Sequence, residues 1–360
     1  MLDLQSSINE KWYGELALKI LFSSEAGYTK VGINPDDLAH LHWDFLLNLL
    51  KKNIITIRAL TTLKGIEPNP SISAMFDRIL DKENARTSRM LQLIGKISQV
   101  FEEEGIDFLV IKTLDHYPDM GNDVDIFVLD GYKGVDAVIK NGFGASVLEA
   151  SVGDKLAGKR NYKVNGYPFA LEVHYNRLGQ VGEHKAYPKI LMRNRQTAAI
   201  DGIKTFIPSP EDQLILRVIQ RIYRHFNIRI SDVFNTINAL NHNDLNWNYL
   251  LDITKQIGIF EGLCLYMSYM NQIYRKFFEY DMLSPDLGRV LIKNGLEDLG
   301  FKNLHYRFPL FSIPSKVYLK KFFSDFKDFD WEGVGRLSLL LPLALITLTY
   351  LKVFKRQIVW

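Results

Sequence analysis

Three acidic residues in two short apolar segments have the types and spacing for phosphate chemistry around a divalent ion. Asp123 and Asp125 open the stretch DVDIFVL, and Glu172 stands in the middle of ALEVHY, residues 170–175. Successive side chains of a strand point to opposite faces, so residues two apart share a face. The spacing predicts that Asp123 and Asp125 project side by side while Val124, Ile126 and Val128 enter a core. Two carboxylates held this close repel each other, and leaving both ionised favours a cation between them. Hard oxygen donors point to Mg2+ or Mn2+, and a single cysteine, Cys264, excludes a cysteine-rich zinc site and an internal disulfide. An acid between Leu171 and Val173 is costly unless it is paired or bound to metal, and His174 shares its face. Two acids on one strand and a third on a neighbour suit two-ion phosphoryl or nucleotidyl transfer. Alone, an Asp-x-Asp pair also arises as a solvated strand end or a turn cap. The apolar strand before the pair, the polar loop between, and Glu172 beyond carry the metal reading.

Other candidates each have an ordinary alternative. Arg217, Arg221 and Arg224 follow helical spacing and form either a solvated face or a clamp for a triphosphate or anionic acceptor. His116 and His174 read as metal helpers or as hydrogen-bonded structural histidines. Lys159-Arg160 reads as a turn within reach of phosphate, and Tyr162 and Tyr175 as packing residues or base-stacking platforms. Asp107, Asp115 and Asp119 read as loop and turn acids, and Cys264 as an inert core thiol. Walker, GxGxxG and GxSxG motifs are absent.

The elements that must position these residues fall into three blocks: an N-terminal helical region, 1–105; a strand-rich core, 106–207; and a C-terminal helical domain, 208–360. In the first, Asp36–Lys52 is amphipathic, with acids first and lysines last, as the helix dipole favours. Pro68-Asn69-Pro70 breaks the pattern, one helix starts near Ser71, and another runs from Ala85 to Glu104 with a stop at Gly105. Strand candidates are Phe108–Ile111, Asp123–Leu129, Ser146–Leu148, Tyr162–Val164, Phe169–Tyr175 and Lys204–Ile207, with a short helix at Gly134–Asn141. Such a mixture implies a small α/β or α+β domain. Ser209-Pro210-Glu211-Asp212 is a helix start, and further helices are expected at Ile230–Leu240, Trp247–Ile257 and Glu261–Tyr280.

Length and composition fit a globular chain: 360 residues, 47% apolar and 24% charged. The net charge of +3 gives no strong nucleic-acid signal. The first sixteen residues lack a signal-peptide pattern, which sets the expectation of a cytoplasmic protein. The uncharged run Leu337–Leu351 is short for a membrane span and contains Pro342. It reads first as a buried C-terminal helix, with peripheral membrane contact or a partner interface as alternatives.

These residues together resemble the nucleotidyltransferase-like superfamily built on the DNA polymerase β palm, in its microbial nucleotidyltransferase branch. The resemblance spans about residues 85–240 and rests on Asp123-x-Asp125, Glu172 with His174, the SPED helix start and Ile230-Ser231-Asp232. It implies an α+β fold in which a small mixed sheet is flanked by N- and C-terminal helical regions. It also implies transfer of an NMP group from an NTP, such as ATP, to a hydroxyl acceptor. Asp123, Asp125 and Glu172 are then the metal-binding and catalytic set. Lys112-Thr113 stands where the family has a small-residue loop. There glycine lets backbone approach phosphate, so Lys112 and Thr113 are expected to make that contact through side chains, alongside Arg217 and Arg221. That departure raises the alternative of a nucleotide-binding or regulatory module with weakened chemistry. The C-terminal run raises a third, a membrane-surface accessory protein.

Overall fold

The computed structural model describes residues 9–24, 32–33, 38, 41–66, 69–129, 131–178, 186–242, 245–308 and 312–339. The chain opens with α1 (Glu10–Ser23), α2 (Trp43–Lys52), α3 (Thr56–Lys64) and a long α4 (Pro70–Glu103). The strand-rich block holds β1 (Phe108–Val110), β2 (Asp123–Val128), α5 (Tyr132–Phe143), β3 (Ser146–Val147), α6 (Val152–Leu156), β4 (Lys159–Lys163) and β5 (Ala170–Tyr175). Next come α7 (Tyr187–Arg193) and the hairpin of β6 (Gln196–Ile200) with β7 (Ile203–Ile207). They lead to α8 (Pro210–Gln220), a π turn at Arg221–His225, β8 (Asn227–Ile228) and α9 (Ile230–His242). The remainder is α10 (Trp247–Gln256), α11 (Phe260–Phe278), α12 (Pro285–Leu291), β9 (Gly300–Lys302), β10 (His305–Arg307) and α13 (Ser312–Lys327).

The fold is α+β around a five-stranded mixed sheet of order β1-β2-β5-β4-β3. β2 and β5 run parallel, and the other neighbours are antiparallel. Period-two alternation gives each central strand two different faces. Val124, Ile126, Val128, Leu171 and Val173 pack in one core with Met90, Ile94, Ile97 and Phe101 of α4. Phe127, Leu109 and Ile111 face the other way, into a larger core with Leu214, Val218 and Ile222. That second core also contains Leu16, Leu21, Leu60 and Phe76, so helices from both ends of the chain meet on one side of the sheet. Each fully buried aliphatic side chain contributes about 1.5–3 kcal/mol, enough for these two layers to fix which sheet face remains for polar residues.

Several elements differ from expectation. One 34-residue helix, α4, replaces the two expected between Ser71 and Glu104. No Gly or Pro interrupts it until Gly95, and Asn69 caps its start by accepting from the Ser71 amide at 3.0 Å. The expected Asp36–Lys52 helix is described from Trp43 onward; Leu41 precedes it, and 34–37 and 39–40 lie outside the described residues. Lys159-Arg160 belongs to β4 rather than a turn, because Lys159 and Arg160 pair with His174 and Val173 of β5. The three-stranded sheet β8-β10-β9 was not expected, since strands of two or three residues carry no readable alternation. Most of the run Leu337–Leu351, from 340 on, lies outside the described residues.

Candidate functional site

The loop between β1 and β2 is fastened on both sides before it delivers the acids. Ile111 N donates to Asp125 O at 3.0 Å, and Lys112 then takes φ +62°, the left-handed conformation that glycine enters without penalty. Thr113 is buried, and its Oγ1 accepts from Asp125 N at 2.8 Å and donates to Asp123 O at 3.3 Å. Farther along, Arg58 Nη2 donates to His116 O at 3.0 Å, and Asn235 Nδ2 to Asp115 O at 2.7 Å. Arg86 Nη2 donates to Met120 O at 2.6 Å, and Thr87 Oγ1 to Pro118 O at 3.0 Å. Asp119 accepts from the Ile57 and Arg58 amides at 2.5 and 3.2 Å, so a loop acid caps α3, whose own N-cap residue supplies no side-chain hydrogen bond.

Parallel pairing of β2 with β5 sets Asp125 opposite Glu172 and Phe127 opposite His174. Ligand atoms of Asp125, Glu172 and His174 lie within 4.8 Å of one another. Asp123 is outside that trio, two residues before Asp125 on the same strand, and its charge acts on Glu172. His174 Nε2 lies 3.1 Å from Asp125 Oδ1. Two ammonium groups answer the carboxylates. Lys112 Nζ is 3.0 Å from Asp125 Oδ1 and 3.2 Å from His174 Nε2. Lys159 Nζ is 2.6 Å from Glu172 Oε1 and 3.3 Å from Asp154 Oδ1.

The acids divide the charge unequally. Burial works against the Asp125 carboxylate, but Lys112 and His174 hold it below the usual carboxylate range. Burial pushes Glu172 up to about 7, with Asp125 and Asp123 adding to the rise. Lys159 pulls the other way at 2.6 Å, yet desolvation and two neighbouring carboxylates outweigh one ammonium. Burial, then the charge on Asp125, also raises Asp123. Near neutrality Glu172 is therefore partly protonated, while Asp125 stays ionised. Burial and the Lys112 charge lower His174 to about 4, so its imidazole is neutral. Nε2 lies between the Lys112 ammonium and the Asp125 carboxylate, while the buried Nδ1 has no hydrogen-bond partner among the described residues.

The expected arginines turn inward. Arg217 forks onto Asp115, with Nε 2.8 Å from Oδ2 and Nη2 against Oδ1. Arg221 Nε lies 2.7 Å from Asp232 Oδ2. All four side chains are under a tenth exposed. With Lys112 and His116 they line a cavity of about 20 Å3, room for about one water rather than a triphosphate. Arg224 lies past the end of α8, in the π turn, and takes no part in that cavity. His116, lowered to about 4 by burial, accepts at Nδ1 from Asn235 Nδ2 at 2.8 Å and does not join the acids. Tyr162 and Tyr175 hydrogen-bond to each other at 2.7 Å inside the α4 core.

Sequence reasoning passed over Arg229, which directly precedes Ile230-Ser231-Asp232. Its backbone N donates to Asp232 at 2.7 Å, and its guanidinium forms no ion pair recorded among the described residues. Burial and the Arg221 charge lower it to about 10, while Asp232, Asp123 and Asp125 act to raise it. It is thus a half-buried cation whose field overlaps the acid pair. His225, lowered to about 2 by burial and the arginines around it, stands in the same basic zone. The signal in the sequence was a basic residue placed next to a helix cap, which composition alone does not distinguish.

A mixed sheet with paired acids opening one strand and a third on its parallel neighbour defines a nucleotidyltransferase-like protein. The chain belongs to the family described as uncharacterised nucleotidyltransferase, whose profile matches residues 39–275. No curated protein matches it. Among solved structures it is similar to an antigenic nucleotidyltransferase-like protein from Paracoccidioides brasiliensis, at 15% identity and a TM-score of 0.31. That match covers 46% of this chain and 88% of the other.

Proposed function

We propose that the protein transfers a nucleoside monophosphate from an NTP to a hydroxyl acceptor, with Asp123, Asp125 and Glu172 as its acidic centre. The observation that carries this reading is the convergence of Asp125, Glu172 and His174 within 4.8 Å, with Asp123 two residues from Asp125 on the same strand. Crowded carboxylates whose charges oppose one another's ionisation fit a site meant for a divalent cation. Carboxylate donors suit Mg2+ or Mn2+, and the imidazole nitrogen favours Mn2+. Bound there, the ion would supply Lewis acidity at the α-phosphate and charge for the departing pyrophosphate.

The chain's own groups have separate tasks in this reading. Glu172, at about 7, accepts the acceptor's hydroxyl proton as the oxygen–phosphorus bond forms and the bond to pyrophosphate breaks. Asp125 stays ionised and holds positive charge in place. Arg229 and Lys112 contact phosphate oxygens, since Arg229 is charged and without an ion-pair partner among the described residues. Arg217 and Arg221, committed to Asp115 and Asp232, act as positive backing rather than as a direct clamp. Labelled NTPs with Mn2+ or Mg2+ test the proposal by following label into the protein or a cell extract. Asp123→Asn with Asp125→Asn should abolish transfer, and Arg229→Ala should weaken nucleotide-induced thermal stabilisation without changing the melting of the free protein. Label transfer by the double variant at the native rate would refute the assignment.

One observation favours a second reading, a nucleotide-binding module without transfer. The Lys112 ammonium already neutralises Asp125 and contacts His174, as a tethered cation would. Nucleotide-induced stabilisation that persists in EDTA, with no label transferred, would select that reading.

A further inference from the structure

Helix α13 buries charge and exposes rings. Its inward side carries Lys321 and Asp325, an ion pair of which each member is at most 2% exposed, together with Val317. Asp330, also buried, accepts from Gly333 N at 3.2 Å, and its own amide donates to Asp325 O at 2.8 Å. The Tyr318 hydroxyl donates to Tyr223 O and Lys320 Nζ to Glu261 Oε2 at 2.6 Å, which fixes how the helix sits on the protein. The opposite side carries Leu319, Phe323 and Phe326, spaced four and three residues apart, and so on one stripe. Phe329 and Trp331 extend it, with the Trp331 ring 5.5 Å from Phe326 and 6.2 Å from Phe329. Their exposures run from 52% to 69%. Six of the ten large apolar side chains exposed among the described residues fall between 319 and 339, so the patch is concentrated rather than scattered.

We propose that this face is a docking surface for an anionic lipid bilayer. Charge selects the occupant. Residues 312–339 hold five Lys or Arg against four Asp or Glu, and residues 340–360 of the sequence add Lys352, Lys355 and Arg356 with no acid. Lys316 and Lys327 are exposed along the same helix as the rings, and Lys320, also exposed, pairs with Glu261 at 2.6 Å. Rings flanked by lysines are the composition of an interfacial helix, whose apolar side enters the headgroup boundary while the ammonium groups meet anionic headgroups. A second copy fits worse, because a two-fold contact would set this positive segment against itself. The uncharged run 337–351 and then Lys352, Lys355 and Arg356 follow in the sequence, continuing the same composition. Among the described residues no helix is long and apolar enough to cross a membrane.

Full-length protein should co-sediment with phosphatidylcholine vesicles containing phosphatidylglycerol, less with phosphatidylcholine alone, and less at high salt. Phe323→Gln with Phe326→Gln and Trp331→Gln should weaken partition by about tenfold or more. Because these side chains are exposed, thermal melting should be unchanged. Trp331→Phe provides a second, conservative arm: vesicles should shift native tryptophan emission to the blue, and that shift should shrink in the variant. Three results would overturn the proposal. They are native protein staying in the supernatant, triple-variant binding equal to native, and a native dimer that the triple variant converts to monomer with no vesicle binding by either.

Discussion

Replacing Glu172 with Gln should make the free protein more stable above neutral pH, although it removes a partner of Lys159. The carboxyl ionises near 4.5 in an unfolded chain and near 7 when folded, because burial and the charges of Asp125 and Asp123 oppose ionisation. At pH below 4.5 both states hold the proton and the group contributes no pH dependence. Between 4.5 and about 7 only the unfolded chain has released it, so folding stability falls as pH rises, by about 1.4 kcal/mol per pH unit. Above 7 the loss is complete, at about 3 kcal/mol. The side chain is only 14% exposed, so solvent screening removes little of this. Glutamine has the same shape and accepts from Lys159 Nζ in place of the carboxylate. Urea unfolding in EDTA at pH 5 to 8 should therefore show native stability falling toward alkaline pH while the Gln variant stays nearly flat. The two should agree near pH 5 and differ by about 3 kcal/mol at pH 8. Adding Mn2+ at pH 8 should restore the native protein, by about 2.7 kcal/mol at a hundredfold excess over Kd, and the variant much less. Equal pH slopes, or a variant less stable than native at pH 8, would refute the reasoning. Either would mean that the Lys159 ion pair dominates the two neighbouring acids.

Asp115→Asn should destabilise the protein by about 3–5 kcal/mol in urea titrations, since it leaves Arg217 buried without its counter-charge. Lys112→Gly should relieve the φ +62° strain, worth about 1 kcal/mol, while removing the ammonium from Asp125. Mn2+ binding followed by calorimetry should then tighten; unchanged affinity would show that Lys112 does not compete for the site. Asp119→Ala should cost about 1–2 kcal/mol by freeing the Ile57 and Arg58 amides, and hydrogen exchange at those amides should accelerate.

The local part of this site was legible. Period-two alternation assigns Asp123 and Asp125 to one face of β2, and Glu172 and His174 to one face of β5. The cap at Ser209 was equally plain, because Ser-Pro-Glu-Asp satisfies a helix start from its own residues; the Ser209 hydroxyl accepts from Asp212 N at 3.2 Å. Helical spacing also grouped Arg217 with Arg221, but spacing does not say what a face meets. The acids that hold them, Asp115 and Asp232, come from a loop about a hundred residues earlier and from the next helix.

The sequence by itself determined which side chains stand together along each strand and helix, because backbone geometry sets those neighbours over a few residues. Tertiary structure decided that β2 and β5 are adjacent, parallel and in a register that puts Asp125 beside Glu172. It also decided that Lys112 reaches back to Asp125, that Arg229 lies within the field of the acids, and that α13 turns its rings outward. Each of these depends on distant segments being pressed together by two cores. The free energy of a buried charge, and hence which acid keeps its proton, is set by what those segments exclude and supply.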